Sequence, residues 1–213
     1  MIVMPVAPMG DSQYDYDGVL RGARPKTLGR IVRAAKEVLA ELGFKSLTVE
    51  AVASRSGVAK STIYRHFRSR TDLALAVLTE MLDQVSVVED SGDSLRDLVV
   101  ILDKTIDYLL NSLMGPIMQG LVSEIAIDAE LASAYRSNVV AHRVDELKKV
   151  VDRGISRGQL RDDVDAEELA DLLLGPIYYR FFLAGTEFPK DFSVKLVASL
   201  RIDASSQVKK AKR

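Results

Sequence analysis

Apolar residues recur at helical spacing along almost the whole chain, and short polar stretches able to cap or turn a helix interrupt them. Leu28, Ile31, Ala35, Val38, Leu39 and Leu42 trace one face of a helix over 27–42, with Gly43 placed for a left-handed stop. Thr48 can cap a short helix carrying Val49, Val52 and Ala53, and Gly57 suits a tight turn with Val58 tucked beneath it. A second short helix over 59–65 offers Ile63 and Tyr64 inward and leaves Lys60, Ser61, Thr62 and Arg65 outward, with Phe67 in the core. Ser69 and Asp72 have the spacing of a capping box opening a helix over 70–85, with Leu73, Val77 and Met81 on one face. Helix, Gly-containing turn and a second helix with a polar, basic outer face make a helix-turn-helix whose second helix has the dimensions to enter a DNA major groove.

Beyond an acidic linker, Glu89-Asp90-Ser91-Gly92-Asp93, the helical period returns. Leu95, Leu98, Ile101, Leu102, Thr105, Leu109 and Leu113 form one face over 94–113. Gly115-Pro116 restarts the chain toward 127 with Ile117, Leu121, Val122 and Ile125. Asp128 caps a long helix to about 157, with Val140, Val144, Leu147, Val151 and Ile155 in register. After a turn at 158–163, Asp165 and Glu168 form a second capping box for a helix to about 183, and a last helix spans 191–200. No segment alternates as a strand does. The pattern predicts an all-α fold of about nine helices, divided into a leader (1–20), a helix-turn-helix domain (21–85), a second helical domain (86–204) and a basic tail (205–213). The leader and tail are expected to lack order.

Composition agrees with helices: 47% hydrophobic residues, 6% aromatics, and no Trp among 213 residues. The absence of Cys removes disulfides and thiol chemistry, and an intracellular, cytoplasmic protein is the simplest expectation. The first ten residues carry no basic group, unlike a signal peptide, and the uncharged run 108–123 is too short and polar to span a membrane. Charge changes the picture more. Residues 21–70 hold twelve Lys and Arg against three Glu, whereas the remainder holds seventeen basic and twenty-seven acidic residues, so a net charge of −1 conceals a cationic front end. A polyanion is attracted to that end and repelled by the rest.

The run from Leu47 to Leu73 resembles the DNA-binding domain of the TetR family of transcriptional regulators. The resemblance rests on Gly57-Val58, on Thr62-Ile63-Tyr64-Arg65-His66-Phe67 and on Ser69-Arg70-Thr71-Asp72-Leu73. With Leu42-Gly43-Phe44 it covers roughly residues 25–80, and Leu174-Gly175-Pro176-Ile177-Tyr178-Tyr179-Arg180 resembles part of the family's C-terminal domains.

Position on the second helix makes Lys60, Ser61 and Thr62 candidates for base edges, with Arg65 suited to bases or phosphates. The resemblance implies that Tyr64 and His66 lie on phosphates, that Thr48 and Arg70 grip from neighbouring helix starts, and that Arg21, Arg24 and Lys26 reach the backbone from a basic arm. A floppy arm, a Tyr64 packed in the core and a Thr48 kept for capping alone stay open.

The resemblance also implies a homodimer on a palindromic operator. Its interface would use Leu169, Leu172, Leu173, Ile177, Phe181, Val194, Val197 and Leu200, part of which an intrachain core must use. It further implies an effector cavity within 94–157, where Thr105, Tyr108, Asn111, Met114, Met118, Gln119, Tyr135, Asn138 and His142 are polar or adaptable residues among aliphatics; packing or exposure would account for them as well. No enzyme, cofactor or metal is expected: with two His in the chain, His66 lies in the DNA-facing motif and His142 has no local partner. The function expected is a ligand-responsive repressor. The alternatives are an architectural or constitutive DNA-binding regulator without effector, and a helical small-molecule binder or enzyme whose helix-turn-helix is incidental.

Overall fold

The computed structural model describes residues 26–85, 89–200 and 202, and within them the fold is all-α. The expected leader, Arg21, Arg24 and the tail lie outside the described residues. The chain clusters into two compact units, the described residues of 1–85 with 113–140 and those of 86–112 with 141–213. This cuts the chain differently from the boundary expected at 85/86, because the helices of 113–140 pack on the helix-turn-helix unit.

In the first unit, α1 (Lys26–Leu42) buries Leu28, Ile31, Val32, Ala35, Val38 and Leu39 and ends at Gly43, φ 78°. Leu42 is in phase with that face yet 58% exposed, since the chain turns away before another element covers it. A 3-10 turn, Phe44–Ser46, leads to α2 (Val49–Ser56), where Thr48 Oγ1 accepts the Ala51 N–H at 3.1 Å. Gly57, φ 65°, gives the left-handed corner before α3 (Lys60–His66). Leu47, Val52, Ile63 and Phe67 fill the space among α1, α2 and α3 with essentially no exposure.

Helix α4 (Arg70–Val85) begins with a slipped capping box: Ser69 Oγ accepts the Asp72 N–H at 3.2 Å, and Asp72 Oδ2 accepts the Arg68 N–H at 2.8 Å. The sequence pattern predicts one apolar face on this helix. Instead every residue from Thr71 to Thr79 is buried, since α1 packs on one side and α6 (Met114–Ile125) on another. Thr79 Oγ1 then bonds back to Leu75 O at 2.9 Å, which leaves no orphan hydroxyl.

Asp128 caps α7 (Ala129–Tyr135), accepting from the Glu130 and Leu131 N–H groups at 3.0 Å each. The expected long helix is then interrupted by a π turn, Arg136–Val140. Its extra residue rotates the register, so Val139 is 3% exposed and Val140, expected inward, is 42% exposed.

In the second unit, α5 (Ser94–Asn111) starts at Asp93, whose carboxylate accepts from the Leu95 and Arg96 N–H groups, and buries Leu98, Ile101, Leu102, Thr105 and Leu109. It packs with α8 (Ala141–Ser156), α9 (Ala166–Tyr179) and α10 (Phe192–Ser199). Asp165 Oδ1 accepts the Glu168 N–H at 2.8 Å, and a π turn, Arg180–Ala184, ends at left-handed Gly185.

The expected linker is anchored at its acidic end. Asp90 accepts both Arg157 Nη1 (2.7 Å) and Nη2 (2.6 Å), which holds its carboxyl well below the usual range, and Gln159 joins Gly92 O (2.7 Å) to Ser94 Oγ (2.9 Å). Among the described residues no helix is long and apolar enough to cross a membrane.

Gly154 of α8 is buried against Leu160, where a Cβ would lie 2.6 Å from the Leu160 side chain and 2.9 Å from Ser94 Cβ. Gly154→Ala should therefore cost about 1–3 kcal/mol in a denaturant melt despite its better helix propensity. An unchanged or higher midpoint would contradict this packing.

Candidate nucleic-acid interface

The turn at Gly57 and the full burial of Ile63 and Phe67 fix which side of α3 faces outward. Lys60, Ser61, Tyr64 and Arg65 form that exposed side, two i,i+4 pairs along one ridge, and Thr62 and His66 are half-buried at its edge. Tyr64, read from the pattern as inward, is 49% exposed; Ile63 alone fills the inward position of that turn. Lys60 Nζ meets Glu50 Oε1 of α2 at 3.2 Å, so the charge nearest the start of α3 is shared with α2. Arg55 is held by Glu41 at 2.6 Å and so braces α2 against α1.

Thr48 serves as a cap, and a hydroxyl that accepts at its oxygen still carries a proton to donate. Lys26 is exposed at the first position of α1. His66 titrates below the ordinary histidine value, first because burial penalises its charged form and second because of the Arg65 charge. Arg70 stands at the first position of α4, its guanidinium 5.5 Å above the Phe44 ring and 3.4 Å from Glu124 Oε1. Arg68, in the turn before it, pairs with Glu130 of α7 and lies 3.7 Å from Asp72. Sequence reasoning missed Phe44, Arg68, Glu124 and Glu130, whose relation is long-range. The visible signal was the bare Gly120, which leaves space on α6 that the Phe44 ring occupies.

The residues expected to line an effector cavity divide between the two units. In the first, Met114 and Met118 are buried, the Tyr135 O–H reaches Met118 Sδ at 3.5 Å, and buried Asn138 donates to Ala134 O at 2.9 Å while its Oδ1 has no partner. In the second, Thr105 is buried and bonds to Ile101 O at 2.8 Å, Tyr108 and His142 are half-buried, and Asn111 is exposed and donates to Asp107 at 2.7 Å. Gln119, on α6, is exposed. A groove of about 450 Å³ between α5 and α10 is lined by other residues, among them Leu95, Arg96, Val99 and Val194.

The expected dimer residues separate as well. Leu169, Leu173 and Ile177 are buried within their own unit, where α9 turns that side toward α8, and Val197 is buried on α10. Leu172 and Val194 are exposed, and Phe181 and Leu200 are half-buried. Tyr179 and Leu183, absent from the expected set, extend the exposed row beyond Leu172, with Leu183 at 77%.

Two family models match this chain: "Bacterial regulatory proteins, tetR family" over residues 31–77, and "Tetracyclin repressor-like, C-terminal domain" over 88–200. An uncharacterised HTH-type transcriptional regulator of Bacillus subtilis, YdeS, is 32% identical over 178 residues, covering 82% of this chain and 89% of the relative. The crystal structure of the TetR family transcription regulator SCO0332 superposes with a TM-score of 0.74 at 30% identity, covering 83% of this chain and 97% of that one. FadR from Bacillus subtilis, in a crystal structure with stearoyl-CoA, shares the fold at a TM-score of 0.58 and 21% identity, covering 81% of this chain and 94% of that one. With both halves matched and an outward basic ridge on α3, the chain belongs to the TetR family of DNA-binding transcriptional regulators.

Proposed function

We propose that this chain acts in the cytoplasm as a homodimeric repressor, which holds a palindromic operator and releases it when a small molecule binds the middle helices. The observation that carries the reading is the row Lys60, Ser61, Tyr64 and Arg65, exposed on a helix whose opposite side is fully buried. In the proposed complex, Lys60, Ser61 and Thr62 meet base edges from the N-terminal end of α3, with Arg65 beside them. Tyr64, His66, Thr48 and Arg70 hold phosphates, and Arg24 and Lys26 follow the backbone from the arm.

One such helix reads only a few base pairs, so two copies about 34–36 Å apart supply the specificity. The exposed row Leu172, Tyr179 and Leu183 is the apolar surface that supports a second copy. An effector is supported by the orphan acceptor Asn138 Oδ1 within the π turn, a buried group that a ligand donor would satisfy. The stearoyl-CoA complex of FadR gives one precedent for a ligand in this fold. The alternative, a regulator without effector, draws on the internal bonds of Thr105 and Tyr135.

Duplexes selected by the protein from a random pool give the operator and its symmetry. On that duplex and a panel of its base variants, Tyr64→Phe and Arg70→Ala should weaken binding equally on all sequences. Lys60→Ala should also flatten discrimination at one base position, by about 1–3 kcal/mol. An unaltered preference profile for Lys60→Ala would remove it from base reading.

A phosphate beside His66 would raise its depressed value, so the complex takes up a proton and affinity rises on acidification toward the ordinary histidine value and below it. His66→Gln should flatten this profile; an equal slope in the variant would exclude His66. The same depression makes the His66 term in folding stability fully present above the ordinary value and lost on acidification through the depressed one. In sedimentation, the wild type should be a dimer and Leu183→Glu should shift it toward monomer. A monomeric wild type at micromolar concentration would end the dimer reading.

A further inference from the structure

We infer that Glu124 and Glu130 are positioning residues that set the DNA affinity of this regulator through Arg70 and Arg68. The inference rests on the reading above in one respect, that the start of α4 faces phosphate. Both carboxylates belong to the 113–140 helices, and both arginines belong to the segment following the recognition helix.

Helix stability does not explain the Arg70–Glu124 pair. Arg70 is the first residue of α4, where the helix dipole disfavours a cation, and Glu124 is in the last turn of α6, where it disfavours an anion. Each charge sits at the wrong end of its own helix and is offset by the other, 3.4 Å away, with the Phe44 ring beneath the guanidinium. Arg68 makes a second pair one step earlier, with Glu130 in the first turn of α7, where an anion is favoured. Its guanidinium is in contact with Glu130, and its Nε lies 3.7 Å from Asp72, whose carboxylate also takes the Arg68 N–H.

The Arg68 and Arg70 side chains are each nearly half exposed, as is Glu130, so the pairs are open to exchange by a competing anion in solvent. A phosphate arriving at the start of α4 takes the place of a carboxylate. DNA binding is thereby coupled to the hold that α6 and α7 have on the DNA-binding end. The coupling is reciprocal: any shift of 113–140 that strengthens these pairs weakens the grip on DNA, and one that loosens them strengthens it.

The test uses full-length protein and the duplex that the wild type selects from a random pool. Glu124→Gln and Glu130→Gln should each tighten binding about two- to fivefold, the range of an exposed ion pair. Each should also steepen the dependence of log affinity on log salt by up to about 0.9, since an arginine no longer exchanges one anion for another. In an Arg68→Ala background the effect of Glu130→Gln should vanish, and in an Arg70→Ala background that of Glu124→Gln should vanish.

Unchanged or weaker binding in the single variants, whether or not their melting temperatures fall, overturns the inference. So does an equal gain with the arginine removed, which would reduce the effect to the general field of an acid near DNA. A wild type that binds no duplex fails at an earlier point and sinks the regulator reading itself.

Discussion

Helix α4 is the element on which the rest of the first unit depends, because it has no solvent side over Thr71–Thr79. A helix that is covered all round must have partners on every side, and here they come from two parts of the chain. From one direction come α1 and the core of the helix-turn-helix; from another come α6 and α7, supplied by the sequence beyond residue 112. Close packing leaves little room for one set to move without the other, since each buried side chain is in van der Waals contact with its neighbours. The direction of the recognition helix is therefore fixed not only by its own turn at Gly57 but also by helices distant in sequence.

Electrostatics follow the same division. The excess of cations at the front of the chain is tempered by acids close by: Lys60 faces Glu50, Arg68 faces Glu130, and Arg70 faces Glu124. Two of these three carboxylates are carried by the same helices that enclose α4. Packing and charge thus converge on one boundary, between the start of α4 and the residues around Glu124–Glu130. Direct contacts join the two at the start of α4, where Arg70 lies over the Phe44 ring and that ring rests on Gly120.

Local signals were legible in the sequence because their causes lie within a few residues. Thr48, Asp128 and Asp165 cap the helices they were expected to cap, and Gly57 makes the left-handed corner that a short interhelical turn requires. The three-helix DNA-binding core and the all-α class followed from the same signals and from the resemblance at 47–73. What was not legible depends on distant partners. A single face was expected on α4 because Thr71, Asp72 and Thr79 look like surface residues until their local bonds are seen. A π turn cannot be read from a 3.6-residue pattern, so Val140 was placed where Val139 stands. On α9 the apolar band is wide enough to serve two faces, and only packing against α8 assigns Leu169, Leu173 and Ile177 inward and leaves Leu172 outward. The acidic stretch 89–93 reads as a linker because its partners, Arg157 and Gln159, are more than sixty residues away.

Native-state hydrogen exchange of the full chain tests the enclosure of α4 most directly, because it reports the opening free energy of each helix separately. If α1, α4 and α6 form one packed unit, their slowest amides should share a single opening free energy, which falls together under mild denaturant. Exchange of α6 at a clearly lower free energy, with α1 and α4 still protected, would show that 113–140 opens independently and would contradict the account.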